Sequence, residues 1–146
     1  MKICAFFGRH IAGNQDKYIA KILRILNETI GEERAEILFG DIEGIIPTAL
    51  LACCIYRSTH PNTKLAFVSI SNDIPEYFRK VFNAIYYSSF EEETQDYAIM
   101  YRNNYIVDNC DVYITCCCES DDIANDLYLR AQKSNKTIYN LYNDVM

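Results

Sequence analysis

Short apolar runs alternate with helix-like segments from one end of this chain to the other, and that alternation limits the fold more than any other feature. Residues 2–7 form an apolar run that ends at Gly8. After a polar loop, Ile19, Ile22, Leu23, Leu26 and Ile30 recur at the spacing of one helix face, with Asn14 placed as its N-cap and Gly31 as its stop. Residues 35–39 read as a second strand closed by Gly40. Residues 46–59 read as a helix apolar on most sides, with Pro47 in the first turn, where a missing N–H costs nothing. A third strand at 64–70 completes a βαβαβ pattern, its continuous apolar run implying cover on both faces.

Beyond it the spacing predicts a short helix at 75–82, a short strand at 84–87, a solvated acidic turn at Glu91, Glu92 and Glu93, and a helix from Thr94 or Asp96 to Asn109. A strand at 111–117, a helix at 122–134 and a last strand at 137–141 follow. Strands joined through helices pair in parallel by right-handed crossovers. The expected architecture is therefore an α/β, Rossmann-like three-layer fold with a mostly parallel sheet of five or six strands. With 146 residues, half of them hydrophobic, and no internal repeat or linker, the chain reads as one domain over 1–146.

The net charge of −6 makes nucleic acid an unlikely main partner, because phosphate binding would have to work against the field of the whole molecule. No apolar run approaches the roughly 18 residues of a membrane span, and the first apolar run is too short for a signal peptide. A cytoplasmic protein without membrane contact is expected. Seven cysteines, five of them in the adjacent clusters 53–54 and 116–118, lack zinc-type spacing and read as reduced, buried thiols. Alternation in the fifth strand puts Cys116 and Cys118 on one face and Cys117 on the other.

Ligands of such sheets sit beyond the carboxyl ends of the strands. That rule selects Gly8, Arg9 and His10 after the first strand, residues 40–44 after the second, Ser69 to Asp73 after the third and Cys118 to Asp122 after the fifth. Gly8 and Gly40 suit close approach of backbone to a phosphate, and equally a plain turn. All five glycines fall within the first 44 residues, so a glycine-rich phosphate loop later in the chain is ruled out. The turn before the last helix carries Glu119, Asp121 and Asp122 instead, which read as capping charges and would repel phosphate. Arg9 offers a planar fork of donors to an anion, and His10 a titratable ring. Tyr97, Tyr101 and Tyr105 make a row at i, i+4, i+8 that either packs or stacks on a base, beside Arg102 and Asn103.

Several of these segments together resemble a family. The opening Lys2-Ile3-Cys4-Ala5-Phe6-Phe7-Gly8, the strand ending in Gly40, His60-Pro61, Tyr101-Arg102-Asn103 before Cys110-Asp111-Val112-Tyr113-Ile114-Thr115, and Lys136-Thr137-Ile138 before Asn140-Leu141 are similar to small bacterial SLOG-superfamily proteins with a Gly-His-Arg opening. The resemblance implies a Rossmann-like fold and a nucleotide-derived ligand; the superfamily includes phosphoribohydrolases that release a base. The departures fall on the pocket. Gly8-Arg9-His10 exchanges the family's two side chains, Glu43 and Ile46 stand where the family's second loop has glycine and aspartate, and Asp122-Ile123 replaces a Gly-Gly turn. The phosphoribohydrolases' Pro-Gly-Gly-x-Gly-Thr stretch is absent.

The resulting expectation is non-enzymatic binding, by sensing or sequestering, of a nucleotide or nucleotide-derived small molecule. Gly8, Arg9, His10, Gly40, Asp41, Arg102 and Asn103 are the binding residues, with no catalytic residue, metal or cofactor. Two alternatives stand beside it: a nucleoside or nucleotide N-glycosidase using Asp41 or Glu43, and a protein-interaction module that has lost its ligand. The apolar stretch 45–56 shows too few polar residues for a normal solvent face, so a homodimer or higher homo-oligomer through this helix is expected.

Overall fold

The computed structural model describes residues 1–10, 13–41, 43–87 and 95–144. Six strands, β1 (Lys2–Gly8), β2 (Ala35–Phe39), β3 (Thr63–Ser69), β4 (Ala84–Tyr87), β5 (Val112–Cys116) and β6 (Thr137–Asn140), form one sheet. Five helices connect them: α1 (Gln15–Thr29), α2 (Ile46–Thr59), α3 (Glu76–Val81), α4 (Gln95–Asn109) and α5 (Asp122–Lys133). A 3-10 turn at Leu141–Asp144 follows β6. The acidic turn expected at Glu91 to Glu93 lies outside the described residues.

The strand order is β4-β3-β2-β1-β5-β6, and every pairing is parallel. The order grows outward from β1 through β4, then reverses at β5 on the other side of β1. Gly8 pairs with Cys116, so the carboxyl ends of β1 and β5 are level at the point of reversal. The connections after β1 and β5 therefore leave toward opposite faces and open a crevice between them.

On one face α1, α2 and Phe78 of α3 bury an apolar layer against Phe6, Ile37, Phe39 and Leu65. Phe6 and Phe39 stack at 5.7 Å, and Phe67 meets Phe78 edge-on at 4.9 Å. On the other face α4 and α5 lay Ile106, Val107, Leu127 and Ala131 over Ala5, Leu38 and Tyr113. The expected caps of α1 hold: Asn14 Oδ1 accepts from Lys17 N at 3.3 Å, and Gly31 takes φ +58° just past the helix end. Cys116, the last residue of β5, packs on the α1/α2 side, and Cys116 and Cys117 are both buried and unbridged, as expected.

One expectation needs correction. Asp121, at the N-cap of α5, makes no capping hydrogen bond to the helix; its Oδ2 instead accepts from Cys118 N at 2.8 Å, closing the turn that leaves β5. Within one chain α2 leaves an apolar stripe open: Leu51 and Ile55, one turn apart, are 52% and 43% exposed. A helix with so few polar residues still presents a wet stripe, because α1 and the sheet cover only the face of Ala49, Ala52, Cys53 and Tyr56.

Candidate functional site

The carboxyl edge of the sheet is closed in two different ways. Beneath β1 the closure is backbone on backbone. Gly8 has φ +146°, and a side chain there would stand 2.5 Å from Cys116 N. Gly44 has φ +65°, and a side chain there would stand 2.0 Å from the Gly8 carbonyl oxygen, which accepts from Ile45 N at 3.1 Å. Both glycines are thus needed to join the end of β1 to the start of α2 and to β5. Their role is a tertiary weld, and at Gly8 the space a phosphate would need on that side is filled by β5.

Beyond β2 the closure is made by side chains. Gly40 is buried, and a Cβ there would meet Ile106 Cδ1 at 2.7 Å and Arg102 Nε at 2.9 Å. The missing side chain lets α4 bring Arg102 and Asn103 down onto the strand end, where both are buried. Nε and Nη2 of Arg102 donate to Asn103 Oδ1 at 3.1 and 2.9 Å. Among the described residues the guanidinium has no carboxylate at ion-pair distance. Burial pushes the Arg102 pKa below its ordinary value, and the charge of Asp41 opposes that shift. A cation held by a neutral amide in a desolvated place is costly unless something else neutralises it.

Arg102 and Asn103 line a cleft of 550 Å³, together with Phe7, Gly8, Asp41 and Glu43. Ile123 and Ala124 from the first turn of α5 form part of its far wall. This size and mixed lining are those of a small-molecule site. Asp41 and Glu43 are exposed, and Asp41 Oδ1 accepts from Glu43 N at 3.3 Å, fixing the loop that carries them. Two smaller cavities adjoin the cleft. One, of 270 Å³, lies toward β3 and α3 and shares Asp41, Ile70 and Arg102; the other, of 370 Å³, lies between α4 and α5 and shares Ile99, Asn103, Ile123 and Leu127.

Arg9 and His10 do not line this cleft. Arg9 turns toward the loop after β5: its Nε is 3.7 Å from Asp121 Oδ1, Nη1 lies 3.5 Å from Cys118 Sγ, and the guanidinium carbon is 5.7 Å from the Tyr142 ring centre. Its charge is paired with Asp121, whereas that of Arg102 has no carboxylate at ion-pair distance among the described residues. His10 is exposed on the same loop. Of the seven residues selected from the sequence, the structure brings Gly8, Asp41, Arg102 and Asn103 to one cleft, puts Gly40 behind Arg102, and leaves Arg9 and His10 aside.

The tyrosine row lies on the outer face of α4: Tyr97, Tyr101 and Tyr105 are all exposed, and the rings of Tyr97 and Tyr101 stack at 6.4 Å. The residues missed by sequence reasoning are the apolar ones, Ile99, Met100 and Ile123. Their signal is an apolar side chain, Ile123, between Asp122 and Asp126 in the first turn of α5, where it has no core to enter and is 65% exposed. Among the described residues no three His, Cys, Asp or Glu side chains converge as a metal site.

Other segments of the resemblance turn out to be clamps. Asp111 Oδ2 accepts from Ile3 N and its own N–H donates to Ile3 O, which starts the β1–β5 pairing. Asn140 accepts from Cys117 N and donates to Cys117 O, tying β6 to the end of β5. His60 stacks on Tyr56 at 3.8 Å and closes α2.

No protein family model and no curated protein matches the chain. A solved structure, the X-ray structure of the structural-genomics protein TM1055, is similar with a TM-score of 0.59 and 11% identity, over 94% of this chain and 72% of that one. At that identity the likeness establishes the fold, a Rossmann-like α/β arrangement, and nothing finer. No described helix is long and apolar enough to cross a membrane.

Proposed function

We propose that this protein is a SLOG-like binding module of the cytoplasm that senses or sequesters a nucleotide or nucleotide-derived small molecule, with the anionic part of the ligand on Arg102. One observation carries the reading: a buried guanidinium, hydrogen-bonded only to its neighbour Asn103 among the described residues, lines a 550 Å³ cleft at the carboxyl edge of a doubly wound sheet. A ligand phosphate would supply the missing countercharge through short charge-assisted hydrogen bonds. Gly8, Asp41 and Asn103 shape the cleft around it, and Gly40 seats Arg102.

Asp41 and Glu43 at the same cleft support one other reading, an N-glycosidase in which a carboxylate assists loss of the base. A thermal-shift screen against nucleotides, dinucleotide cofactors and cyclic or ADP-ribose-type molecules, with assay of free base in the same samples, tests both. A ligand of the folded state raises the melting temperature by mass action. A shift without base release supports the binding module, base release transfers the proposal to the enzyme, and no shift with any compound contradicts both. The exposed Leu51 and Ile55 stripe of α2 supports self-association, which light scattering at micromolar concentration checks.

A further inference from the structure

We infer that the site takes a ligand with two ring-bearing ends joined by a central phosphate bridge of low charge, a dinucleotide rather than a mononucleotide; this rests on reading the cleft as a nucleotide site. The three cavities form one trough. The middle cleft shares Arg102 with the cavity toward β3 and shares Asn103 with the cavity between α4 and α5, so the two buried polar residues stand at its centre. The two end chambers have the same character although different elements build them. Toward β3 and α3 an apolar wall of Phe67, Ile74 and Phe78 is rimmed by Asp73. Between α4 and α5 a wall of Met100, Ile123 and Leu127 is rimmed by Asp96 and Asp126.

Each end can cover the face of a flat ring with apolar atoms, while an exposed carboxylate accepts hydrogen bonds from ribose hydroxyls or exocyclic amines. The same carboxylates repel a phosphate at the ligand's tip. Among the described residues lining the three chambers Arg102 is the only cation. The one cation among these described residues therefore stands at the middle of the trough, beside Asp41 and Glu43, while Asp73, Asp96 and Asp126 rim the ends, so a ligand's anion is drawn to the middle and not to its tips. Asp41 and Glu43 beside Arg102 limit that anion to one or two charges and disfavour a triphosphate. A mononucleotide anchored on Arg102 would leave one end chamber empty.

Calorimetric titration of the purified protein with NAD+, AMP, NMN, NADP+ and inorganic pyrophosphate tests the inference. NAD+ is expected to bind at least tenfold tighter than AMP or NMN and at least tenfold tighter than NADP+. The gap between NAD+ and NADP+ should narrow in Asp73→Asn or in the Asp96→Asn/Asp126→Asn pair, according to which end takes the adenosine. Ile123→Asp, at an exposed position, should lower NAD+ affinity to the mononucleotide level. AMP or NMN matching NAD+ would overturn the two-ended ligand while leaving a nucleotide site in place, and NADP+ matching NAD+ would overturn the acidic ends. Absence of binding by all five compounds would remove the nucleotide reading and the inference together.

Discussion

The two rims of the crevice use glycine and arginine in opposite ways. At the rim of β1, Gly8 and Gly44 are pressed against main-chain atoms, and Arg9 lies outside on an exposed pair with Asp121. At the rim of β2, Gly40 is pressed against the side chains of Arg102 and Ile106, and the arginine is the buried partner. Backbone cannot move aside without unpairing strands, whereas side chains can. The first rim is therefore architecture, and the second holds a desolvated charge with no carboxylate at ion-pair distance among the described residues.

That difference sets an order of effects. Gly44→Ala should cost about 3 kcal/mol or more, since it adds a strained φ to a clash with a carbonyl oxygen. Gly40→Ala should cost about 1–3 kcal/mol, because Arg102 and Ile106 can shift, and it should weaken ligand binding as Arg102 is pushed off its place. Chemical denaturation of the two variants checks this, and equal costs would erase the distinction between the rims.

Within the second rim, Asn103→Ala leaves the buried guanidinium without its acceptor and should cost about 1–3 kcal/mol, measured the same way. At the first rim, Arg9→Ala removes an exposed pair and should change stability by less than about 1 kcal/mol and leave ligand affinity unchanged. A large loss of affinity in Arg9→Ala would show that the first rim also holds the ligand.

The thiol beneath the first rim sharpens the contrast in another variable. Burial raises the Cys116 pKa to about 11, against the opposing charge of Arg9. The folded state therefore holds the proton more tightly than the unfolded chain, whose thiols titrate near 9. The stability this gives is complete below pH 9 and is lost as pH rises toward 11. Melting temperature should fall across that window, less steeply in Cys116→Ala.

The elements were legible because their signals are local. Asn14 caps α1, Pro47 opens α2, and the apolar periods of β1 to β3 need no partner to be read. The weld of Gly44 to Gly8 was not, because it joins residues 36 positions apart through a turn that only the strand order brings together. For the same reason Arg9 was expected beside Arg102: its distance to Asp121 is set by the pairing of Gly8 with Cys116, which the sequence does not display. Arg102 and Asn103 stand out beside the tyrosine row and through the resemblance, and not through an apolar period, since their helix carries polar and aromatic residues on several sides. The stripe of Leu51 and Ile55 escaped because an apolar helix gives no sign of which side stays wet.

The claim that Arg102 is kept for a ligand and not for the fold is tested most directly by Arg102→Met, which retains length and removes the charge. Stability from equilibrium denaturation and affinity for NAD+ from calorimetry are measured on the same preparation. The account predicts that stability is unchanged or higher, because a buried charge with no ion pair among the described residues has been replaced by an apolar chain, while affinity falls at least tenfold. A variant that loses several kcal/mol of stability, or that binds as tightly as the parent, would contradict it.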